Sequence, residues 1–131
     1  VSNHEKQPII QAMTIEHILP QKWEAYYGSQ WRKECHNNVN LINEYVEHLG
    51  NKIVLARERN IRAAERDFPS KLRIYKDNKK ASSKLTIELE NFVETHKNSK
   101  KWTKKNIDKR TEEMIDVIIE YIRTGIEGGI A

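Results

Sequence analysis

The spacing of apolar positions changes several times along the chain, and each spacing predicts an element. AMTIEHIL is short, carries Ile15 and Ile18 and is stopped by Pro20, which predicts a β-strand. Residues 1–12 read as a lead-in, and KWEAYYGSQ as an aromatic loop or short turn. Through SQWRKECHNNVNLINEYVEHLGN, Val39, Leu41, Ile42, Val46 and Leu49 approximate a helical stripe. Asn37, Asn38 and Asn40 weaken its first half, and Gly50 stands where a C′ residue would end it. NKIVLAR returns to a short β-branched run, Ile53-Val54-Leu55, and predicts a second strand. ERNIRAAERDF has helical composition and ends before Pro69; SKLRIYKDNKK continues as a second helical piece and unwinds in a Lys/Asp/Asn turn.

In SSKLTIELENFVETHK, Leu85, Leu89, Phe92 and Val93 share one side of an amphipathic helix, with Ser82 or Ser83 as N-cap. HKNSKK reads as a loop. TKKNIDKRTEEMIDVIIEYIRTG predicts a strong helix, capped by Thr103 and ended by Gly125, with IEGGIA fraying beyond it. Its apolar face is Ile107, Met114, Ile115, Ile118, Ile119 and Ile122. There is no internal repeat and no low-complexity tract. The expected fold class is α+β and mostly helical, with two short strands bracketing a long insertion.

Composition narrows this further. The 131 residues suit one domain with a modest core. Charged residues are 32% and hydrophobic ones 37% of the chain, and no apolar run approaches the ~20 residues of a membrane span. VSNHEKQ has no basic segment leading into an apolar one, as a signal peptide would. The missing initiator Met points to a piece of a larger protein. Cys35 is the sole cysteine, which excludes an internal disulfide and a multi-cysteine zinc site and fits a reducing cytoplasm.

The net charge of +4 hides a pattern. Residues 57–80 hold nine Lys/Arg against four Asp/Glu, residues 95–110 seven against one, and from Thr111 onward five acids face one Arg. Two basic blocks suit a polyanion such as nucleic acid, or are solvated helix faces.

Candidate chemistry sits on the two strands. The first presents Glu16 and His17; the second is entered by Asn51 and left by Asn60, which is expected to open a helix. If the strands pair antiparallel and that helix packs across them, Glu16, His17 and Asn60 converge. Cutting a phosphodiester needs an activated water, charge neutralisation and a stabilised leaving alkoxide. A neutral His is the natural base near neutral pH. A hard cation supplies the rest through oxygen ligands, here the Glu16 carboxylate and the Asn60 amide. Neighbouring strand residues point to opposite faces, so the pair meets one substrate only near the strand end, where twist or a bulge turns them together.

"EHILPQ" followed by "GNKIVLARERN" resembles the HNH nucleases, which share the ββα-metal (His-Me finger) fold. The second stretch is similar to the HNH domain of RNA-guided CRISPR nucleases, whose Asn-Lys-Val-Leu is followed by an Asn at the same spacing as Asn51 to Asn60. The wider pattern most resembles the C-terminal nuclease domain of GmrSD-type, modification-dependent restriction enzymes. It comprises Glu16-His17-Ile18-Leu19-Pro20, Trp31, Leu49-Gly50-Asn51, Asn60, Phe68-Pro69-Ser70-Lys71, Tyr75, Trp102, Ile107 and Arg110, over roughly residues 13 to 110.

This resemblance implies one nuclease domain over 1–131, with a ββα-metal core at about 13–76 and a helical C-terminal part at about 82–125. It implies a catalytic set of His17 as general base, Glu16 and Asn60 as ligands of Mg²⁺ or Mn²⁺, and Asn51 as the structural Asn tying the loop between the strands. It implies DNA as substrate, 5′-phosphate and 3′-hydroxyl products, and a role in restriction or phage defence under an upstream nucleotide-hydrolysing or modification-sensing domain. One such site cuts one strand, so a double-strand break calls for a second site or a dimer. Two positions depart from the commonest HNH pattern: Glu16 stands where Asp is usual, and Asn60 where His often is.

Each residue also has a plainer reading. His17 is then an exposed strand residue, Asn60 the N-cap of IRAAERDF, and Asn51 a turn residue. Lys71 reaches a phosphate and Arg62, Arg66 and Arg73 line a DNA path, or all four are solvated charges. Cys35 is expected as a small buried hydrophobe, and Trp23, Trp31 and Trp102 as core anchors. His36 and His48 lack the spacing of paired ligands. The competing functions are a catalytically inactive nucleic-acid-binding module with a degenerate HNH fold, and a helical protein-interaction domain.

Overall fold

The structure, a computed structural model, describes residues 12–77 and 85–130, with side chains as far as residue 125. The elements run β1 (Met13–His17), α1 (Glu24–Glu34), α2 (Val39–Val46), a 3₁₀ turn (Leu49–Asn51), β2 (Lys52–Ala56), α3 (Arg57–Ala63), α4 (Phe68–Lys76), α5 (Ile87–His96) and α6 (Lys104–Ile130). The α+β, mostly helical class expected from the sequence is what forms, with a helical insertion between two antiparallel strands. Ile18 N donates to Asn51 O at one end of the ribbon and Arg57 N to Ala12 O at the other. That register sets Glu16 opposite Ile53 and His17 opposite Lys52. Among the described residues no helix is long and apolar enough to cross a membrane.

Several boundaries moved, each for a local reason. KWEAYYGSQ is not a loop: α1 begins at Glu24 and buries Tyr27, Gly28 and Trp31 on one side. The insertion is two helices because the chain turns left-handed at His36 and Asn37. The Asn38 side chain then accepts from Leu41 N at 3.1 Å and starts α2. The stripe of α2 is Ile42, Tyr45 and Val46, while Val39 is exposed. Gly50 does not end a helix. It lies in the 3₁₀ turn, where a Cβ would run into Ile107 O and Thr111 Oγ1 of α6. Close approach is what requires glycine there.

α3 starts at Arg57 with Ala56 before it, so Asn60 lies inside the helix and is not its N-cap. The expected cap at Ser82 or Ser83 and the turn at 78–80 lie outside the described residues, as do residues 1–11. Thr86 caps α5, accepting from Leu89 N at 3.1 Å. Thr103 caps α6 in a reciprocal pair with Asn106. The helix does not stop at Gly125 but continues to Ile130.

The chain forms two compact units, one of Val1–Glu16 and Ile53–Lys101, the other of His17–Lys52 and Trp102–Ala131. In the first, the apolar sides of β2, α3, α4 and α5 bury Ile53, Leu55, Ala63, Phe68, Leu72, Tyr75, Leu89 and Phe92. Phe92 meets Phe68 edge-on and leans on Tyr75. In the second, Ile18, Leu19, Trp23, Tyr27, Trp31, Cys35, Ile42, Val46, Trp102 and Ile107 are buried around the 3₁₀ turn, where the first half of α6 docks. Cys35 and the three tryptophans are core residues, as expected; burial pushes the Cys35 thiol pKa up. The expected apolar face of α6 is buried only at Ile107. Ile115, Ile118, Ile119 and Ile122 are exposed.

Candidate active site

The unit that carries His17 is organised by Asn51. Its side chain is sealed from solvent and makes four hydrogen bonds. Oδ1 accepts from Leu19 N at 2.7 Å and from Trp102 Nε1 at 2.9 Å. Nδ2 donates to Leu19 O and to Val46 O, each at 2.9 Å. That uses the whole capacity of an amide. The segment after His17 is thereby tied to the end of α2 and the start of α6. Asn51 is thus part of the buried frame of this unit.

The same frame continues outward through backbone carbonyls. Trp31 Nε1 donates to Trp102 O at 3.0 Å, and Arg110 donates to Gly50 O at 3.0 Å and Lys52 O at 2.6 Å. Tyr45 donates to Asp108. Burial first, then the hydrogen bond and charge of Asp108, push its phenol pKa up to about 12.

His17 is the last residue of β1, and its side chain is 24% exposed. Its Nε2 lies 3.0 Å from Glu47 Oε1, and Lys52 Nζ lies 3.5 Å from Glu47 Oε2. A carboxylate only accepts, so Nε2 is the donor in this bond. For Glu47, desolvation pulls the pKa upward, but the charges and hydrogen bonds of His17 and Lys52 together outweigh it. The carboxyl is held below its ordinary 4.5. Glu47 escaped the sequence reading because it stands one residue past α2 in an unremarkable Tyr-Val-Glu-His run. The register that sets Lys52 beside His17 is the signal that could have found it.

Glu16 and Asn60 belong to the other unit. Glu16 points inward and is only 3% exposed. Its Oε2 accepts from Lys71 Nζ at 3.0 Å and from Tyr75 OH at 2.6 Å. Lys71, expected to reach a phosphate, is instead fully buried. Burial drives its ammonium pKa down, and the Glu16 charge restores part of it. Phe68-Pro69-Ser70-Lys71 and Tyr75 thus build an internal partner for the first strand: Lys71 and Tyr75 are one turn apart on α4 and face the same way.

Asn60 donates from Nδ2 to Thr14 Oγ1 at 2.7 Å and to Ile15 O at 3.1 Å, pinning α3 to β1. Its Oδ1 has no hydrogen-bond partner among the described residues. As donors for a hard cation, the two residues differ. Asn60 offers an amide oxygen of the right kind. Glu16 does not fit as arranged, because its Oε2 is committed to an ammonium and a phenol. Among the described residues no three His, Cys, Asp or Glu gather as a metal-binding group.

Arg62, Arg66 and Arg73 do come together. With Ser70, Ile74, Lys76 and Asp77 they line a surface cavity of about 670 Å³. Arg62 pairs with Asp77 at 2.8 Å and Glu58 at 3.0 Å, and these partners, Asp77 foremost, raise its pKa. Arg73 donates to Ser70 Oγ at 3.0 Å. Four cations against one carboxylate give the cavity a net positive lining. Lys71 is absent from it because its side chain turns inward to Glu16.

The family described as GmrSD restriction endonucleases, C-terminal domain, matches residues 2–117, so the chain belongs to that family. No curated protein and no solved structure matches it.

Proposed function

From membership of the GmrSD C-terminal domain family, we propose that the chain is an HNH-type DNA endonuclease domain acting in restriction or phage defence. It is read as the nuclease part of a larger cytoplasmic protein or complex, directed by an upstream nucleotide-hydrolysing or modification-sensing domain. The observation that carries this reading is the setting of His17. It ends a strand, is partly open to solvent, is held at Nε2 by Glu47, and has the chain behind it fixed by Asn51.

In the proposed reaction a water oxygen forms a bond to the backbone phosphorus. His17 takes the water proton, and the bond from phosphorus to the 3′ oxygen breaks. That oxygen leaves with a proton from solvent, giving 5′-phosphate and 3′-hydroxyl ends. Glu47 holds the imidazole at Nε2 and so orients the ring. The cavity of Arg62, Arg66, Arg73 and Lys76 binds flanking phosphates. A divalent cation, Mg²⁺ or Mn²⁺, when bound, neutralises charge on the phosphate and the leaving oxygen. Asn60 Oδ1 is the donor available to it, and no step is assigned to Glu16 while Lys71 holds it.

The Glu16–Lys71 pair favours a second reading, a nucleic-acid-binding module that does not cut. Plasmid nicking with Mg²⁺ or Mn²⁺ separates the two. The nuclease reading expects nicking by the wild type and its loss in His17→Ala. Salt-sensitive DNA binding without nicking by either protein selects the second reading. Equal nicking by both removes His17 from the mechanism.

A further inference from the structure

We propose that Asp77 holds the phosphate position of the basic cavity while the chain is free, and that DNA binds there by displacing it. The inference rests on the reading of that cavity as a contact for DNA phosphates, and it adds a built-in competitor to it.

The cavity is assembled against local preferences. Ala64 closes α3 at φ 42° and ψ −120°. That is left-handed backbone, where a side chain is strained and glycine is the usual choice. The turn it makes brings Arg66 back onto the end of α3. Arg66 N donates to Ala63 O and its Nε to Arg62 O, each at 3.0 Å. Arg73 and Lys76 enter the same cavity from the last turn of α4. Gathering these cations costs repulsion, and an anion in the cavity relieves it.

Among the described residues the anion lining the cavity is Asp77. It caps the C-terminus of α4, its N–H donating to Ile74 O at 3.3 Å. That is the negative end of a helix, where a carboxylate is disfavoured and a cation favoured. Against this, Arg62 Nη2 donates to Asp77 Oδ2 at 2.8 Å. Carboxylate and phosphate use the same N–H fork of a guanidinium, so a DNA phosphate and Asp77 compete for Arg62. Once the phosphate has Arg62, its charge and the helix end both repel Asp77. Glu58 holds Nη1 of the same arginine at 3.0 Å, from one turn back on α3 and outside the cavity lining. Arg62 therefore stays oriented when Asp77 leaves.

Fluorescence anisotropy of a labelled DNA duplex, in EDTA so that no strand is cut, tests this on the full chain. Asp77→Asn is expected to bind roughly fivefold more tightly than the wild type, the effect of one unit charge at about 4 Å in a water-like medium. Its circular-dichroism spectrum is expected to be unchanged. Glu58→Gln removes the same charge from the same arginine but outside the cavity, and is expected to gain much less. Equal gains in the two variants would reduce the effect to net charge and overturn the proposal. An Asp77→Asn variant that gains nothing, while Arg62→Gln/Arg73→Gln binds more weakly than the wild type, overturns the proposal and leaves the cavity as a DNA contact. A wild type that binds no DNA, or an Arg62→Gln/Arg73→Gln variant that binds as tightly as the wild type, overturns the DNA reading of the cavity together with the proposal.

Discussion

Two buried polar clusters sit on either side of the bond between Glu16 and His17, and they solve burial differently. Asn51 is a neutral amide with every donor and acceptor matched. Glu16 is a carboxylate neutralised by Lys71 and capped by Tyr75. A matched amide gives up water at modest cost and gains directional bonds. A buried ion pair spends most of its attraction offsetting desolvation, so its net contribution to stability is small although each partner depends on the other. The first arrangement fixes backbone; the second fixes a side chain. Beside His17 the backbone must be rigid, and only the amide cluster supplies that.

The largest expected effect comes from Asn51→Ala. It strands two buried N–H groups and two carbonyls, and should cost about 4–6 kcal/mol, a large share of a small domain's stability. Urea unfolding measures it; a loss under about 1 kcal/mol would contradict the satisfied-amide account. Next is Lys71→Met, which leaves Glu16 buried without its cation and should cost about 3–5 kcal/mol. Adding Glu16→Gln to that variant should recover most of the loss, because both charges are then gone. Failure of the second change to help would mean that shape, not charge, holds this cluster.

The smallest effect belongs to Glu47→Gln. Glu47 is more than half exposed, so losing its charge on His17 should change stability by only about 0.2–1 kcal/mol. The sign is set by the lowered Glu47 pKa. The carboxylate's contribution is fully present above its unfolded value and is lost as pH falls through the lower folded value. Wild type and variant should thus converge in acid, as thermal melts from neutral pH to below pH 4 would register. Divergence in acid would reverse the assignment.

Much of the fold was legible in the sequence. The two strands and the mostly helical balance follow from apolar spacing. What stayed hidden depends on partners distant in sequence. Asn60 looks like a cap because it precedes an alanine-rich run, yet the helix starts at Arg57 and spends the Asn60 amide on Thr14 and Ile15. Lys71 looks like a surface cation until α4 is seen to turn it, with Tyr75, toward Glu16. Gly50 looks like a helix stop, but α6 passes too close for any side chain. The isoleucines of α6 at 115, 118, 119 and 122 have the spacing of a core face, yet the structure leaves them exposed.

The hydrogen bond from Trp102 to Asn51 bears on the order of events during synthesis. The unit holding Glu16 and Asn60 has all its residues once Lys101 has emerged. The unit holding His17 does not, because Trp102 supplies an indole to Asn51 and a carbonyl to Trp31. On a ribosome, the histidine leaves early but acquires its fixed setting only after more than eighty further residues have followed it. A chain that stalls before Trp102 leaves Asn51 without its indole donor and Trp31 without its carbonyl acceptor.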